Sequence, residues 1–228
     1  MVKEGQGFSA SISKQLDGPC YNPQLRLDQE QARESKTMAL RRVLRIDDAN
    51  DKRILKLHCQ PVKLPDRTLK QLVVDMLETM HTANGVGLAA PQVGLPIQLC
   101  VIGIPPEYEE QADGTELEVA PAEEYVLFNP KIVKTSGEEI MRDEGCLSLP
   151  GWYGQVPRQT WVTVEFQDLT GKARRLRKAD GLLGWALQHE IDHLHGILFT
   201  ERIRDLSTLR DLTQEPVSAD APVHAPVG

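Results

Sequence analysis

The sequence predicts an α+β fold, mixed and antiparallel strands packed around a central helix near the C-terminal end, and three observations carry that prediction. Leu69, Leu72, Val73, Met76, Leu77 and Met80 recur at helical spacing, and so do Leu183, Leu187, Ile191 and Leu194 much later in the chain. Between these two stripes lie short apolar runs rich in β-branched and aromatic residues, the composition of strands. The 228 residues are 40% hydrophobic with no long apolar run, so the chain buries a core of ordinary size and spans no membrane.

Taken in order, Pro65 and Asp66 mark the start of the first helix, and Asn84 with Gly85 its end. GVGLAAPQ, Gly85 to Gln92, follows. Gly85 and Gly87 there permit positive φ or close approach of a ligand's backbone, and Ala89 and Ala90 permit tight packing, with a plain loop as the alternative. QLCVIGI (Gln98 to Ile104), YVLFNP (Tyr125 to Pro130) and WVTVEF (Trp161 to Phe166) read as strands, and DLTG (Asp168 to Gly171) turns the last into another through Lys172 to Leu176. The second helix starts near Asp180 and stops before Gly196, where a cationic His195 suits the helix dipole.

That second helix carries the chemistry. His189, Glu190 and His193 form the pattern HExxH, and with about 100° and 1.5 Å per residue the two imidazoles lie about 40° and about 6 Å apart, facing one way. Both rings reach one ion, and Glu190 stands beside them, able to hold a proton from water without being a ligand. A solvated helical face bearing hydrogen-bonded His and Glu is the competing reading, so a third ligand must be found. Downstream, Glu201 and Glu215 lie in no convincing helix, and HExxHxxGxxH fails because Phe199 occupies the place of its last His. The upstream segment EGCLSLP, Glu144 to Pro150, leaves Cys146 as the third ligand. Asp192 lies about 200° around the helix from Glu190, and Arg158 in QVPR is its expected partner, tying the two ligand-bearing segments together.

The cysteines at 20, 59, 100 and 146 make no staple framework and follow no secretory signal, so free thiols in a reducing compartment are expected, with Cys100 in the core. A net charge of −7 gives no electrostatic case for nucleic acid.

EGCLS, GVGLAAPQ and QHEIDH together resemble the three motifs of peptide deformylase, in order and spacing from about Met38 to about Asp205. The resemblance implies a hydrolase that removes the formyl group from the N-terminal formylmethionine of nascent polypeptides and releases formate. It implies one divalent ion on Cys146, His189 and His193, acidifying a water for Glu190 to deprotonate. It also implies oxyanion donors in the Gln92 amide and the Leu147 backbone N–H. Substrate backbone would pair near Val86, Gly87 and Gly145, and the methionine side chain would rest among Val86, Leu182, Ala186 and the His189 ring. Fe²⁺ is the implied native ion, while Zn²⁺, Ni²⁺ and Co²⁺ also suit the ligand types. A monomer in the cytoplasm, touching the ribosome near its exit tunnel, is expected. Trp185 and Tyr153 depart from the family's habits, a smaller aliphatic at the first place and a basic or other polar residue at the second. A thiolate-ligated metallopeptidase and a noncatalytic metal-binding module are the alternatives.

Residues 38–212 are expected to form the catalytic domain. Residues 1–37 are polar and too acidic for a transit peptide, and read as a disordered extension or a misplaced start. Residues 213–228, rich in Ala, Pro and Val, read as a disordered tail in which His224 is no ligand.

Overall fold

The computed structural model describes residues 39–111 and 113–214. The expected extension over 1–37, the tail beyond 214, Cys20 and His224 lie outside the described residues. Leu212–Gln214 forms a short 3-10 turn, so regular structure runs two residues past the expected boundary at 212.

Because LCVIGI is apolar at every position but its glycine, it can be satisfied only by burial on both faces. Strand β2 (Leu99–Ile104) is buried in that way, once β1 (Gly87–Ala89) is set as its edge neighbour. Cys100 and Ile102 turn to one side of the sheet, Leu99 and Val101 to the other, as the two-residue period of a strand requires. Before β1 come α1 (Ala49–Leu55) and α2 (Leu69–Thr82). After β2 the chain runs through β3 (Glu107–Glu110), β4 (Glu116–Ala120), β5 (Glu123–Thr135), β6 (Glu139–Cys146), β7 (Leu149–Gln159), β8 (Trp161–Gln167) and β9 (Ala173–Asp180). It closes with α3 (Gly181–Leu194) and β10 (Arg210–Asp211).

A five-stranded sheet has the order β1-β2-β5-β8-β9, a three-stranded sheet the order β10-β7-β6, and β3 with β4 makes a separate hairpin. Every ladder is antiparallel, and among the described residues parallel pairing is confined to the isolated bridge Gln60–Ile97. Helix α2 covers the Leu99 and Val101 face with Leu72, Val73, Met76, Leu77 and Met80, while α3 covers the Cys100 and Ile102 face with Ala186, Leu187, Ile191 and Leu194. At about 1.5–3 kcal/mol for each leucine-sized side chain removed from water, these contacts clamp α3 to the sheet far more firmly than helix propensity could. The strand expected to end at Leu176 continues to Asp180, which stands as the N-cap residue of α3. As expected, Asp168 to Gly171 is a tight turn, with Gly171 at φ 84° and its N–H donating to the Asp168 carbonyl. No described helix is long and apolar enough to cross a membrane.

Candidate metal centre

EGCLSLP is the tip of the β6–β7 hairpin. Leu147 and Ser148 make a two-residue turn, and Cys146 pairs with Leu149 across it. That reversal brings the Cys146 Sγ to 3.4 Å from the His193 Nε2. One ligand atom each from Cys146, His189 and His193 lie within 4.8 Å of one another, and all three residues are buried. Around a single tetrahedral ion, with bonds of about 2.0–2.3 Å, ligand atoms stand roughly 3.3–3.8 Å apart, so a small contraction completes the site.

The polar atoms left over describe what belongs there. The His189 Nε2 and both Glu190 carboxylate oxygens are buried without a hydrogen-bond partner. Buried polar groups are otherwise almost always satisfied, and one thiol with two imidazoles is a transition-metal donor set. The residues fit a divalent ion.

The ring of His189 is held from behind. Its Nδ1 lies 2.9 Å from the Glu144 Oε2, so the ring donates that proton and keeps its Nε2 lone pair toward the thiol. Burial pushes the Glu144 carboxyl upward, but hydrogen bonds from Arg158 and His189 outweigh it and bring the pKa down to about 2. Arg158 grips Glu144 with two N–H donors at 2.6 and 2.9 Å. Its remaining amine donates to Asp192 at 2.7 Å, the pairing expected from the sequence. Arg202 then grips Asp192 at 3.0 and 2.6 Å. Phe199, which stands where the failed pattern wanted a ligand, stacks its ring on His189 at 6.2 Å between centroids.

Glu190 has none of this support. Burial, followed by the charge of Glu144, raises its pKa well above the usual carboxylate range. Burial likewise pushes the Cys146 thiol up to about 12, despite the Ser148 N–H that points at its sulfur from 3.4 Å, and it holds His193 well below its ordinary value. A divalent cation held among these groups would reverse that preference for the thiol and the carboxyl.

Gln92 sits on the 3-10 turn Ala90–Val93 that follows β1. Its Oε1 accepts from the Ala89 N–H at 2.8 Å, which turns the Nε2 toward the Cys146 Sγ at 3.6 Å and the Ser148 Oγ at 3.3 Å. Leu147 is half-buried, and its side chain lies so close to Gly85 that a Cβ there would meet the Leu147 Cδ1 at 2.8 Å. Gly145 is covered by the Tyr153 ring, 2.7 Å from where its Cβ would be. Val86 and Gly87 are buried, β1 pairs on one side only, and β6 is likewise an edge strand. Val86 and Ala186 belong to one buried apolar cluster against which the half-buried Leu182 packs. Glu144, quoted above only as part of a motif, is the residue whose importance sequence reasoning missed. Its signal was available, since residues 144 and 146 of a strand face the same way.

The profile of the polypeptide deformylase family matches residues 41–208. The peptide deformylase of Chloroflexus aggregans is 79% identical over 188 residues, spanning 81% of this chain and 100% of its own. Among solved structures, a Synechococcus elongatus peptide deformylase in complex with actinonin superposes with a TM-score of 0.60 at 38% identity, covering 75% of this chain and 85% of its own. The Met-Ala-Ser-bound class I type b peptide deformylase of Acinetobacter baumannii does so with a TM-score of 0.60 at 34% identity, covering 73% and 100%. Since these matches take in the glycine motif, the cysteine hairpin and the metal helix together, the chain belongs to the polypeptide deformylase family.

Proposed function

We propose that Cys146, His189 and His193 hold one divalent ion beside Glu190 as the working centre of this deformylase. The enzyme is a metal-dependent hydrolase that removes the formyl group from the N-terminal formylmethionine of nascent polypeptides and releases formate. One observation carries the assignment of roles: Glu190, a fully buried carboxyl with no hydrogen-bond partner for either oxygen, accompanies the buried group of one thiol and two imidazoles formed by Cys146, His189 and His193.

A bound divalent ion supplies Lewis acidity and a water acidic enough to lose its proton near neutral pH. Glu190 takes that proton and returns it to the departing amine nitrogen, serving as base and then as acid. With its pKa already raised by burial, it holds the proton between the two steps. Gln92, its amide oriented by the Ala89 N–H, donates from Nε2 to the oxygen on which negative charge grows, and the Leu147 N–H donates beside it. The free edges of β1 at Gly87, with Val86 just before it, and of β6 at Gly145 take up the extended substrate backbone. Val86, Leu182 and Ala186, with the ring of His189, accept the methionine side chain.

Thiolate with imidazole accommodates Fe²⁺, Zn²⁺, Ni²⁺ and Co²⁺, and Fe²⁺ is assigned as the native ion on the family resemblance. The same resemblance supports a monomer in the cytoplasm that meets nascent chains near the ribosomal exit tunnel. Metal analysis and a formate-release assay on anaerobically purified protein test this reading. About one iron per chain, with activity that decays in air, is expected. Activity that survives aerobic storage and rises with added zinc overturns the iron assignment, and cleavage of peptide bonds without formate overturns the deformylase roles.

A further inference from the structure

β6 and α3 run past one another with their side chains facing in pairs. Cys146 meets His193 at 3.4 Å, Glu144 meets His189 at 2.9 Å, and the Arg142 guanidinium carbon lies 3.4 Å from the centroid of the Trp185 ring. Two residues of strand advance about 6.7 Å and four residues of helix about 6 Å, so the third pair continues the same two facing surfaces one step beyond the metal ligands.

Packing alone explains this third pair poorly. Arg142 is half-buried, and its Nε is buried without a hydrogen-bond partner. Among the described residues it joins no ion pair. The carboxylates nearest in sequence are taken, Asp143 by Arg210 at 2.5 Å and Glu144 by Arg158 and His189. With no carboxylate to offset burial, the guanidinium is held below its ordinary pKa. What remains is a planar cation, 3.4 Å over an indole ring and lacking a counter-charge, on the strand whose edge is proposed to take up the peptide.

The geometry points to Arg142 as a specificity-determining residue that receives a carboxylate from an acidic side chain following formylmethionine in the substrate, with Trp185 as its positioning residue. A strand added at the β6 edge brings side chains within about 4.5–8 Å of those on β6, a span that an arginine covers. The inference rests on the reading of β6 as a partner of the substrate backbone. The chain's net charge of −7 would by itself repel an acidic peptide, so a preference for one requires a local cation.

The test compares kcat/KM of the holoenzyme for formyl-Met tripeptides bearing Glu or Lys at the second or third residue. The parent is expected to favour the acidic peptide by about three- to tenfold at low salt, a preference that shrinks as salt rises. Arg142→Gln should abolish that ratio, and Trp185→Leu should weaken it by freeing the guanidinium. Arg142→Lys should retain only part of it, since an ammonium neither stacks nor forks. Formate release indifferent to peptide charge in the parent, or a ratio that survives in Arg142→Gln, overturns the proposal and leaves the deformylase site standing. A parent that releases formate from none of the peptides overturns both.

Discussion

Glu144 on β6 and Glu190 on α3 are both buried where strand and helix cross, and their surroundings treat them in opposite ways. Glu144, 1% exposed, sits behind His189 in a region crowded with donors: two N–H groups of Arg158 and the ring Nδ1 of His189. Glu190, 0% exposed, sits in front among the ligands with no hydrogen-bond partner for either oxygen. One acid is therefore held ionised with a pKa of about 2, while the other is pushed well above the usual range. The same burial leaves a fixed charge against His189 where donors are supplied, and a carboxyl suited to the proton-carrying role proposed above where they are withheld.

The sharpest way to break this contrast is Glu190→Gln. Formate release should fall by roughly a thousandfold or more, with metal content measured in the same sample unchanged. Should the ion leave as well, Glu190 would be doing the orienting work assigned to Glu144. Gln92→Ala removes a donor from the front of the site, and kcat should drop by about 10²–10³-fold with little change in the ion retained. Glu144→Gln acts from behind: affinity for the ion, titrated with a chelator, should weaken by roughly 10–100-fold. Its urea midpoint should also fall, by an amount corresponding to about 3–5 kcal/mol, because Arg158 is left buried without one of its partners.

Acid titration sharpens the comparison further. Glu144 has a folded pKa of about 2, below its ordinary 4.5. Its contribution to stability is thus complete above that ordinary value and is lost as pH falls toward 2. Glu190 is shifted the other way. In metal-free protein its effect is most favourable below the ordinary value and turns unfavourable as pH rises through its folded pKa. Metal-free Glu190→Gln should consequently melt higher than the parent at neutral pH, whereas metal-free Glu144→Gln melts lower. The smallest effect is expected for Arg202→Ala. With that side chain 43% exposed and Asp192 still paired to Arg158, unfolding should shift by less than about 1 kcal/mol.

Much of this was legible in the chain because it follows from local spacing. The stripe from Leu183 to Leu194, the paired imidazoles of α3 and the doubly apolar run of β2 each announce themselves within one element. The Arg158–Asp192 contact was also foreseeable, since Asp192 had to point away from the ligands. What stayed hidden was long-range or lacked alternation. Strand β6, an edge strand, reads EIMRDEGC and is mostly charged, while β7, flanked by β6 and by the two-residue β10, reads LPGWYGQVPRQ and is interrupted by Gly and Pro. Neither shows an apolar period, so a long hairpin looked like a tight segment. Helix α1, Ala49–Leu55, is too short to display a period, although Asp48 caps it by accepting from the Asn50 and Asp51 N–H groups. Glu144 and Phe199 acquire their roles only when hairpin and helix meet at His189.

The bond from Glu144 to His189 bears on how far the HExxH segment can be moved. A helix transplanted into a foreign scaffold would carry both rings and the acid between them, yet would leave behind the carboxylate that sets one ring's tautomer, the aromatic that backs it and the thiol that completes the triad. Such a graft would bind metal loosely and hydrolyse little. The portable unit is the crossing of two segments 45 residues apart in sequence, with residue 144 on one and 189 on the other.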